Sequence, residues 1–257
     1  MVDIHSHILP GIDDGAENIE ITLEMLRLAE KDGTKSIIAT PHYCLEFAET
    51  PYVEIEKLVS KLKKLIKAEG INIDIYSGQE VYFFEEMLKS YREGVIGTLN
   101  GSRYMLIELP MREYDEKFLE VIYELQILGV VPILAHPERY KYIIENPSFI
   151  NKFIDENILF QMNAGSIRGQ YGKNVKKTCE ILMENNIYSF IGSDAHNTSN
   201  RNIEMTAGIE LIKEFNESNI NRFIENGIKL INNEDIDFRC NKIKSKKSVF
   251  SFFKTKK

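Results

Sequence analysis

The chain has 257 residues, of which 43% are apolar and 28% are charged, a composition typical of a globular protein with one large domain or two small ones. It lacks a run of about 18 apolar residues and the basic and apolar regions of a signal peptide, so we expect neither a transmembrane helix nor a signal peptide. The net charge is −7, but it is unevenly distributed, because residues 239–257 hold eight of the 32 basic side chains and none of the 39 acidic ones. Residues 1–238 therefore carry a net charge of −15, which argues against nucleic-acid binding by this part of the chain.

Strand and helix patterns alternate along the chain. A short buried strand begins at Val2, and further strands are predicted at residues 36–39, 71–76, 104–107, 130–135, 158–162 and 187–191. Helices are predicted at residues 17–31, 51–69, 84–92, 116–128, 147–156, 174–185, 203–215 and 220–226. Because such alternation gives parallel strands joined by right-handed crossovers, it predicts an α/β fold, and a closed barrel fits better than an open sheet. Since no Gly/Ser or Pro linker occurs, we expect one domain over residues 1–238 and a basic, disordered tail over residues 239–257.

Histidines and carboxylates gather at the C-terminal ends of the predicted strands. The nine side chains are His5, His7, Asp14, His42, Glu80, Glu108, His136, Asp194 and His196. The C-terminal ends of the strands in a parallel barrel lie on one face, where side chains from different strands meet. His5 and His7 also point to the same side, because they are two residues apart in an extended segment.

These nine side chains together predict a metal site. A single histidine or glutamate at a strand end is more often a hydrogen-bonded or solvated loop residue. A dry cluster of nine such groups, however, would be strongly destabilised by repulsion and desolvation without cations. A catalytic zinc-type site uses about three protein ligands, so nine ligands indicate two or three ions, and the imidazole–carboxylate mixture suits Mn, Fe, Zn or Co. Metal pairs of this kind are typical of phosphate-ester hydrolysis.

Six segments, in order along the chain, resemble the polymerase-and-histidinol-phosphatase (PHP) superfamily. They are MVDIHSHILPGIDDG at the N-terminus, TPH at 40–42, GQE at 78–80, LIE at 106–108, AHPER at 135–139 and GSDAH at 192–196. More closely, they resemble the branch of manganese-dependent tyrosine-protein phosphatases of bacterial capsule and exopolysaccharide synthesis, over about residues 1–235. The resemblance implies a distorted seven-stranded (β/α)7 TIM-like barrel with three metal ions, Mn²⁺ being preferred.

The resemblance also implies a role for each site residue. The first ion would be held by His5, His7, Glu80 and Asp194, the second by Glu80, Glu108 and His136, and the third by Asp14, His42 and His196. Arg139 matches the family arginine beside the site, and Arg201 is a looser match. Arg139, with Arg201 or Arg168, would hold the phosphate through a planar fork of donors. Asp194 and His42 are the candidates for a general acid.

The implied function is hydrolysis of phosphotyrosine on a protein, with a membrane-associated tyrosine kinase of capsule or exopolysaccharide synthesis as the expected substrate. Two alternatives stay open: a small-molecule phosphatase such as histidinol phosphatase, and a non-catalytic metal-binding scaffold or proofreading module. A cysteine-dependent phosphatase is excluded, because none of Cys44, Cys179 and Cys240 is followed six positions later by arginine.

The remaining expectations concern location and assembly. Three scattered cysteines indicate free thiols in a reducing compartment, so we expect a cytoplasmic protein. The basic tail is interpreted either as a solubilising segment or as a contact for anionic lipid or an acidic kinase segment. The sequence does not distinguish a monomer from a homo-oligomer, and it does not fix the physiological metal.

Overall fold

The computed structural model describes residues 1–215 and 217–244. These residues contain nine strands: β1 Val2–Ser6, β2 Ser36–Ala39, β3 His42–Tyr43, β4 Asp74–Ser77, β5 Glu80–Tyr82, β6 Tyr104–Glu108, β7 Val131–Ala135, β8 Leu159–Asn163 and β9 Phe190–Gly192. They form two sheets, with the orders β1-β2-β4 and β3-β5-β6-β7-β8-β9, and every strand pair is parallel. The predicted α/β architecture with parallel strands is therefore confirmed.

Helices connect the strands along the described chain. They are α1 Ile19–Lys31, α2 Tyr52–Ala68, α3 Met87–Arg92, α4 Phe118–Ile127, α5 Lys141–Glu145, α6 Asn151–Asp155, α7 Ala164–Ile167, α8 Lys173–Glu184, α9 Met205–Phe215 and α10 Glu217–Ile231. The Asn18 side chain accepts a hydrogen bond of 3.0 Å from the Ile21 N–H, which caps α1. The predicted helix at 220–226 is longer in the structure, and the predicted helix at 147–156 is a 3₁₀ turn, Pro147–Ile150, followed by α6.

The sheets do not reproduce the predicted count of seven strands, because the short strands β3 and β5 follow β2 and β4 after brief interruptions. Pro41 lies between β2 and β3 along the chain, and it has no N–H to donate to a neighbouring strand. Between β4 and β5, a Cβ atom at Gly78 would lie 2.7 Å from Leu99 Cδ2, so a larger residue there would displace the Leu99 side chain. The next side chain, Gln79, accepts a hydrogen bond of 2.8 Å from the Gly97 N–H. These interruptions place His42 and Glu80 inside short strands, whereas the sequence predicted them in loops after longer ones.

Alternate residues of each strand belong to two different apolar clusters. Ile37 and Met105 pack with the helices, whereas their neighbours Ile38 and Leu106 belong to a smaller cluster on the opposite face. The smaller cluster takes residues from β1, β2, β6, β7, β8 and β9. The strands are thus buried on both faces, as parallel strands are, which agrees with their nearly continuous apolar sequence.

The first and last strands are neighbours in space. The His7 N–H donates to the Ala195 carbonyl over 2.9 Å, and the Asp194 N–H donates to the His5 carbonyl over 2.8 Å. The fully buried Asp3 accepts a hydrogen bond of 2.9 Å from the Ser193 N–H, while burial raises the pKa of this carboxyl to about 6. We call this contact between β1 with its following loop and β9 with its following loop the β1–β9 seam. It joins residues about 190 positions apart in the chain and brings His5 next to Asp194.

The last described residues contact the domain. Asn151 forms two hydrogen bonds of 2.9 Å with the backbone of Ile243, and the Asn241 N–H donates to the Asn185 carbonyl over 2.9 Å. Residues 245–257, most of the predicted basic tail, lie outside the described residues, so the division at residue 238 stays a prediction. None of the described helices has the length and hydropathy needed to cross a membrane.

We predict that Gly192→Ala destabilises the protein through the β1–β9 seam. A Cβ atom at Gly192 would lie 2.6 Å from His5 Cβ, so the two strands must move apart. Overpacking of this kind lowers the free energy of unfolding by about 1–3 kcal/mol, which urea denaturation measures. The control is Glu124→Ala on the exposed face of α4, and equal stability of the two variants would contradict a tight seam.

Candidate functional site

The nine predicted ligand side chains lie in strands β1, β3, β5 and β6 or in the segments that follow β1, β7 and β9. His5 is in β1, His42 in β3, Glu80 in β5 and Glu108 at the end of β6, and His136 directly follows β7. Three groups have potential ligand atoms within 4.8 Å of one another: His7, Asp14, His42 and His196; His5, His7, Glu80 and Asp194; and His42, Glu80 and Glu108. His136 is outside these groups, but its Nε2 atom lies 3.0 Å from Glu80 Oε1.

The carboxylate of Glu80 lies at the centre of the cluster. Its Oε2 atom is 3.1 Å from His5 Nε2, 3.3 Å from His7 Nε2 and 3.2 Å from His42 Nδ1. Burial by itself would raise the pKa of this carboxyl, but the His5 and His42 imidazoles lower it well below its usual value. The Glu80 carboxylate is therefore held among imidazoles that together belong to all three groups.

Several buried polar atoms of the cluster have no hydrogen-bond partner among the described residues. They are Glu80 Oε2, His136 Nδ1 and His196 Nε2. In addition, His5 Nε2 and His7 Nε2 lie only 3.2 Å apart. Two imidazole nitrogens bonded to one metal ion at about 2.1 Å are separated by a similar distance. The donor set and its unpartnered atoms thus fit divalent cations, since buried polar groups otherwise find partners.

Side chains behind the cluster orient the first two histidines. Asp13 Oδ2 is 2.8 Å from His7 Nδ1, and Gln161 Oε1 is 3.0 Å from His5 Nδ1, so each Nε2 atom faces Glu80. Although burial lowers the pKa of His7, the carboxylates of Asp13 and Glu80 raise it to about 10. Asp13 and Gln161 were not predicted as site residues from the sequence. The repeated acid at 13–14, directly after the HSH segment, was a signal for Asp13, whereas nothing in the sequence marked Gln161.

Two site residues have left-handed backbone conformations. His136 has φ of 31° and Asp194 has φ of 53°, values that are uncommon for residues other than glycine. The His136 N–H donates to Gln161 Oε1 over 3.3 Å, and the seam holds the Asp194 backbone. Such strain persists where the surroundings fix the backbone, and here it turns both side chains toward Glu80.

Two arginines converge on Asp194. Arg139 Nη1 donates to Asp194 Oδ2 over 2.9 Å, and Arg201 Nη2 donates to Asp194 Oδ1 over 2.8 Å. Burial would raise the pKa of Asp194, but His5 and the two arginines lower it far below its usual value. Arg168 is not part of this arrangement, because it pairs with Glu204.

Further polar residues support the arginines. The Arg139 guanidinium lies 4.5 Å above the ring of Tyr171, and Asn163 Nδ2 donates to Asp194 Oδ2 over 2.7 Å. The neighbour of Arg139, Glu138, is fully buried and accepts hydrogen bonds of 3.0 Å from the Asn163 N–H and the Tyr188 hydroxyl. Burial raises the pKa of Glu138. Tyr171, Asn163 and Tyr188 were not predicted as site residues, because each is a single residue without a spacing pattern. Glu138 was not predicted either, although it lies in the AHPER segment.

The cluster opens to solvent on one side. The exposed side-chain fraction is 48% for Asp14, 26% for Arg201, 20% for Arg139 and 15% for His42. His5, His7, Glu80 and Asp194 are at most 2% exposed. A molecule from solution would therefore reach the cluster past Asp14, His42 and the two arginines.

Comparison with known proteins agrees with the resemblance seen in the motifs. Residues 1–232 match the family described as capsular polysaccharide synthesis, CpsB/CapC. The tyrosine-protein phosphatase YwqE of Bacillus subtilis (strain 168) is 32% identical over 254 residues, which cover 98% of this chain and 100% of that protein. The putative tyrosine-protein phosphatase CapC of Staphylococcus aureus is 32% identical over 92% of this chain and 93% of that protein.

Solved structures give the same relationship. The fold matches one from a study of YwqE of Bacillus subtilis and CpsB of Streptococcus pneumoniae, described there as unique metal-dependent tyrosine phosphatases. The TM-score is 0.91 at 32% identity, over 95% of this chain and 100% of the other. The lactonase Lmo2620 of Listeria monocytogenes shares only the fold, with a TM-score of 0.52 at 12% identity over 91% of each chain. The match over residues 1–232 and the 32% identity to YwqE establish that this chain belongs to the CpsB/CapC family of capsular polysaccharide synthesis proteins.

Proposed function

We propose that this protein is a metal-dependent tyrosine-protein phosphatase that hydrolyses phosphotyrosine on a protein substrate. The observation that carries the proposal is the buried Glu80 carboxylate among four imidazoles, with two arginines on the adjacent Asp194. The names of YwqE and CapC as tyrosine-protein phosphatases support the choice of substrate class. The family match does not favour a small-molecule phosphatase such as histidinol phosphatase, or an inert scaffold.

The proposed ligands divide among three ions. His5, His7, Glu80 and Asp194 would hold the first ion, Glu80, Glu108 and His136 the second, and Asp14, His42 and His196 the third. The 3.0 Å contact of His136 with Glu80 supports the second set, and the 3.3 Å contact of His196 with Asp14 supports the third. We propose Mn²⁺ as the metal, although the same ligand types also suit Fe, Zn or Co.

The chemistry requires a charged pocket that receives a phosphate. Divalent cations, when bound, would polarise the phosphoryl oxygens and neutralise the negative charge that develops as the ester bond breaks. Arg139 and Arg201 lie at the solvent side of the cluster and would donate to the phosphate oxygens through their planar forks. The leaving phenol has a pKa of about 10, so it needs only modest help from an acid. The charges around Asp194 keep its pKa low, and burial lowers the pKa of His42, so neither of the two predicted general acids is favoured as a proton donor.

The identity of the substrate protein, the cellular location and the closure of the barrel are also proposals. We propose a membrane-associated tyrosine kinase of capsule synthesis as the substrate and a cytoplasmic location, to which the free thiols of Cys44, Cys179 and Cys240 are suited. Contact between residues 239–257 and anionic lipid stays a prediction from their charge.

We also propose that the two sheets form one distorted barrel with seven strand positions, in which β3 continues β2 and β5 continues β4. The bridge between Ser6 and Ala195 supports closure of this barrel.

Metal removal tests the proposed function. We expect chelator treatment to abolish hydrolysis of a phosphotyrosine peptide from a kinase tail, and Mn²⁺ to restore it.

Glu80→Gln removes the charge at the centre of the cluster and should lose both bound metal and activity, measured by elemental analysis and phosphate release. The matched variant Glu124→Gln on α4 should keep both. Full activity of metal-free protein would refute the proposal.

Arginine variants test phosphate binding. Arg139→Ala removes a donor beside Asp194, so turnover of an aryl phosphate should fall by about 100–1000-fold while metal content is kept. Arg168→Ala is the matched control, because Arg168 pairs with Glu204 instead of Asp194. We expect this control to stay within about twofold of wild type, as is typical of substitutions outside a site. Similar losses in the two variants would argue against a specific role for Arg139.

Asp13→Asn tests the support behind the cluster. The Asp13 carboxylate holds His7 Nδ1 over 2.8 Å, and an amide would lose the charge that favours this orientation. Loss of such a supporting partner weakens metal affinity by about 10–100-fold, which titration calorimetry of metal-depleted protein with Mn²⁺ measures. Asp115→Asn, at a half-buried position before α4 and outside the cluster, provides the control. Unchanged affinity in Asp13→Asn would show that His7 needs no such partner.

A further inference from the structure

A short turn presents two exposed apolar side chains next to the site. It follows β3 and comprises residues 44–48, which we call the Phe47 turn. Phe47 is 63% exposed and Leu45 is 44% exposed, although both are large apolar residues. The Phe47 ring lies 6.4 Å from the ring of His42, with the two rings nearly perpendicular at 66°. Single exposed apolar residues are common on protein surfaces, so it is the position of Phe47 that requires an explanation.

The turn is held in one conformation. The Cys44 N–H donates to the Ala48 carbonyl over 2.8 Å, and the Ala48 N–H donates back to the Cys44 carbonyl over 2.9 Å. Glu46 has φ of 66°, and its N–H donates to Glu49 Oε1 over 2.8 Å. At the base of the turn, the buried Tyr43 packs against Phe84 with ring centroids 5.9 Å apart. The exposure of Phe47 is therefore built into a hydrogen-bonded turn that keeps the ring out of the core.

The turn stands where the cluster opens to solvent. Among the candidate ligands, His42 and Asp14 are the more exposed ones, and His42 is the histidine that Phe47 approaches. A phosphate bound at the cluster would carry its ester group outward, past these residues. In a phosphotyrosine, the ester oxygen is attached directly to an aromatic ring, so that ring would emerge beside Phe47. Aromatic pairs prefer edge-to-face or offset contacts with ring centroids about 4.5–7 Å apart, and the Phe47 ring is placed at the opening of the cluster for such a contact with the substrate ring.

We propose that Phe47 is a specificity-determining residue that packs against the phenyl ring of the phosphotyrosine, with Leu45 extending the same apolar rim. This inference rests on the proposed function and adds the means by which the site prefers an aromatic phosphate over one without a ring. The rim contacts the leaving group and not the phosphoryl oxygens, so it contributes to substrate binding. Its effect should therefore appear mainly in KM.

The test compares two substrates in the full-length, Mn²⁺-loaded protein. For a phosphotyrosine peptide, Phe47→Ala should lower kcat/KM by about 3–10-fold, mainly through KM, which is the range expected for loss of one aromatic pair. For acetyl phosphate, which has a good leaving group but no ring, the loss should be clearly smaller. Phe47→Tyr keeps a ring at this position and should restore most of the peptide activity. Tyr123→Ala, which removes a 58% exposed aromatic residue from α4, is the matched control and should leave both substrates unaffected.

The outcomes separate this inference from the proposed function. A selective loss on the peptide, with recovery in Phe47→Tyr, supports a ring contact. An equal loss on both substrates, or no loss on the peptide, overturns the role of Phe47 while the phosphatase assignment stands. Wild-type protein that hydrolyses acetyl phosphate but not the peptide overturns the substrate class, and the role of Phe47 with it.

Discussion

The structure depends on one electrostatic constraint, the burial of the Glu80 carboxylate among imidazoles from several strands. Glu80 and the imidazoles of His5, His7 and His136 are almost fully removed from water. An isolated charge or an unpaired polar atom is strongly disfavoured in such a buried position. The arrangement is stable only if the groups neutralise one another, or if cations lie between them. The strand ends of a parallel α/β fold make this convergence possible, because they bring side chains from distant parts of the sequence to a single face.

Two structural features hold the cluster in place. The β1–β9 seam connects the start of the chain with a segment about 190 residues later, so that the Asp194 N–H bonds the His5 carbonyl. Behind the imidazoles, Asp13 and Gln161 accept from the ring nitrogens that face away from Glu80. The seam fixes where the backbones lie, and the supporting side chains fix which ring nitrogen faces the centre. Orientation of this kind is typical of metal sites with a well-ordered outer layer.

Charge is graded from the centre of the site to its rim. The centre is negative and buried, the arginines on Asp194 supply positive charge where solvent begins, and the rim beyond His42 is apolar at Phe47. A phosphomonoester of an aromatic alcohol would match the two outer layers, with its dianionic phosphate at the arginines and its ring at the apolar rim, while bound cations would offset the negative centre. The left-handed backbone conformations of His136 and Asp194 contribute to this arrangement, because each turns a side chain toward the cluster just after a strand ends.

The sequence by itself determined the alternation of strands and helices, the nine candidate ligands and the family, because strand-end positions and ordered motifs are local features of the chain. Only the tertiary structure decided the breaks that create β3 and β5, the pairing of Arg201 with Asp194 and of Arg168 with Glu204, and the supporting roles of Asp13 and Gln161. The physical reason is the same in each case. These features depend on side-chain contacts that the folded backbone creates between residues without regular spacing, or on close packing at one atom, and neither leaves a periodic pattern in the sequence.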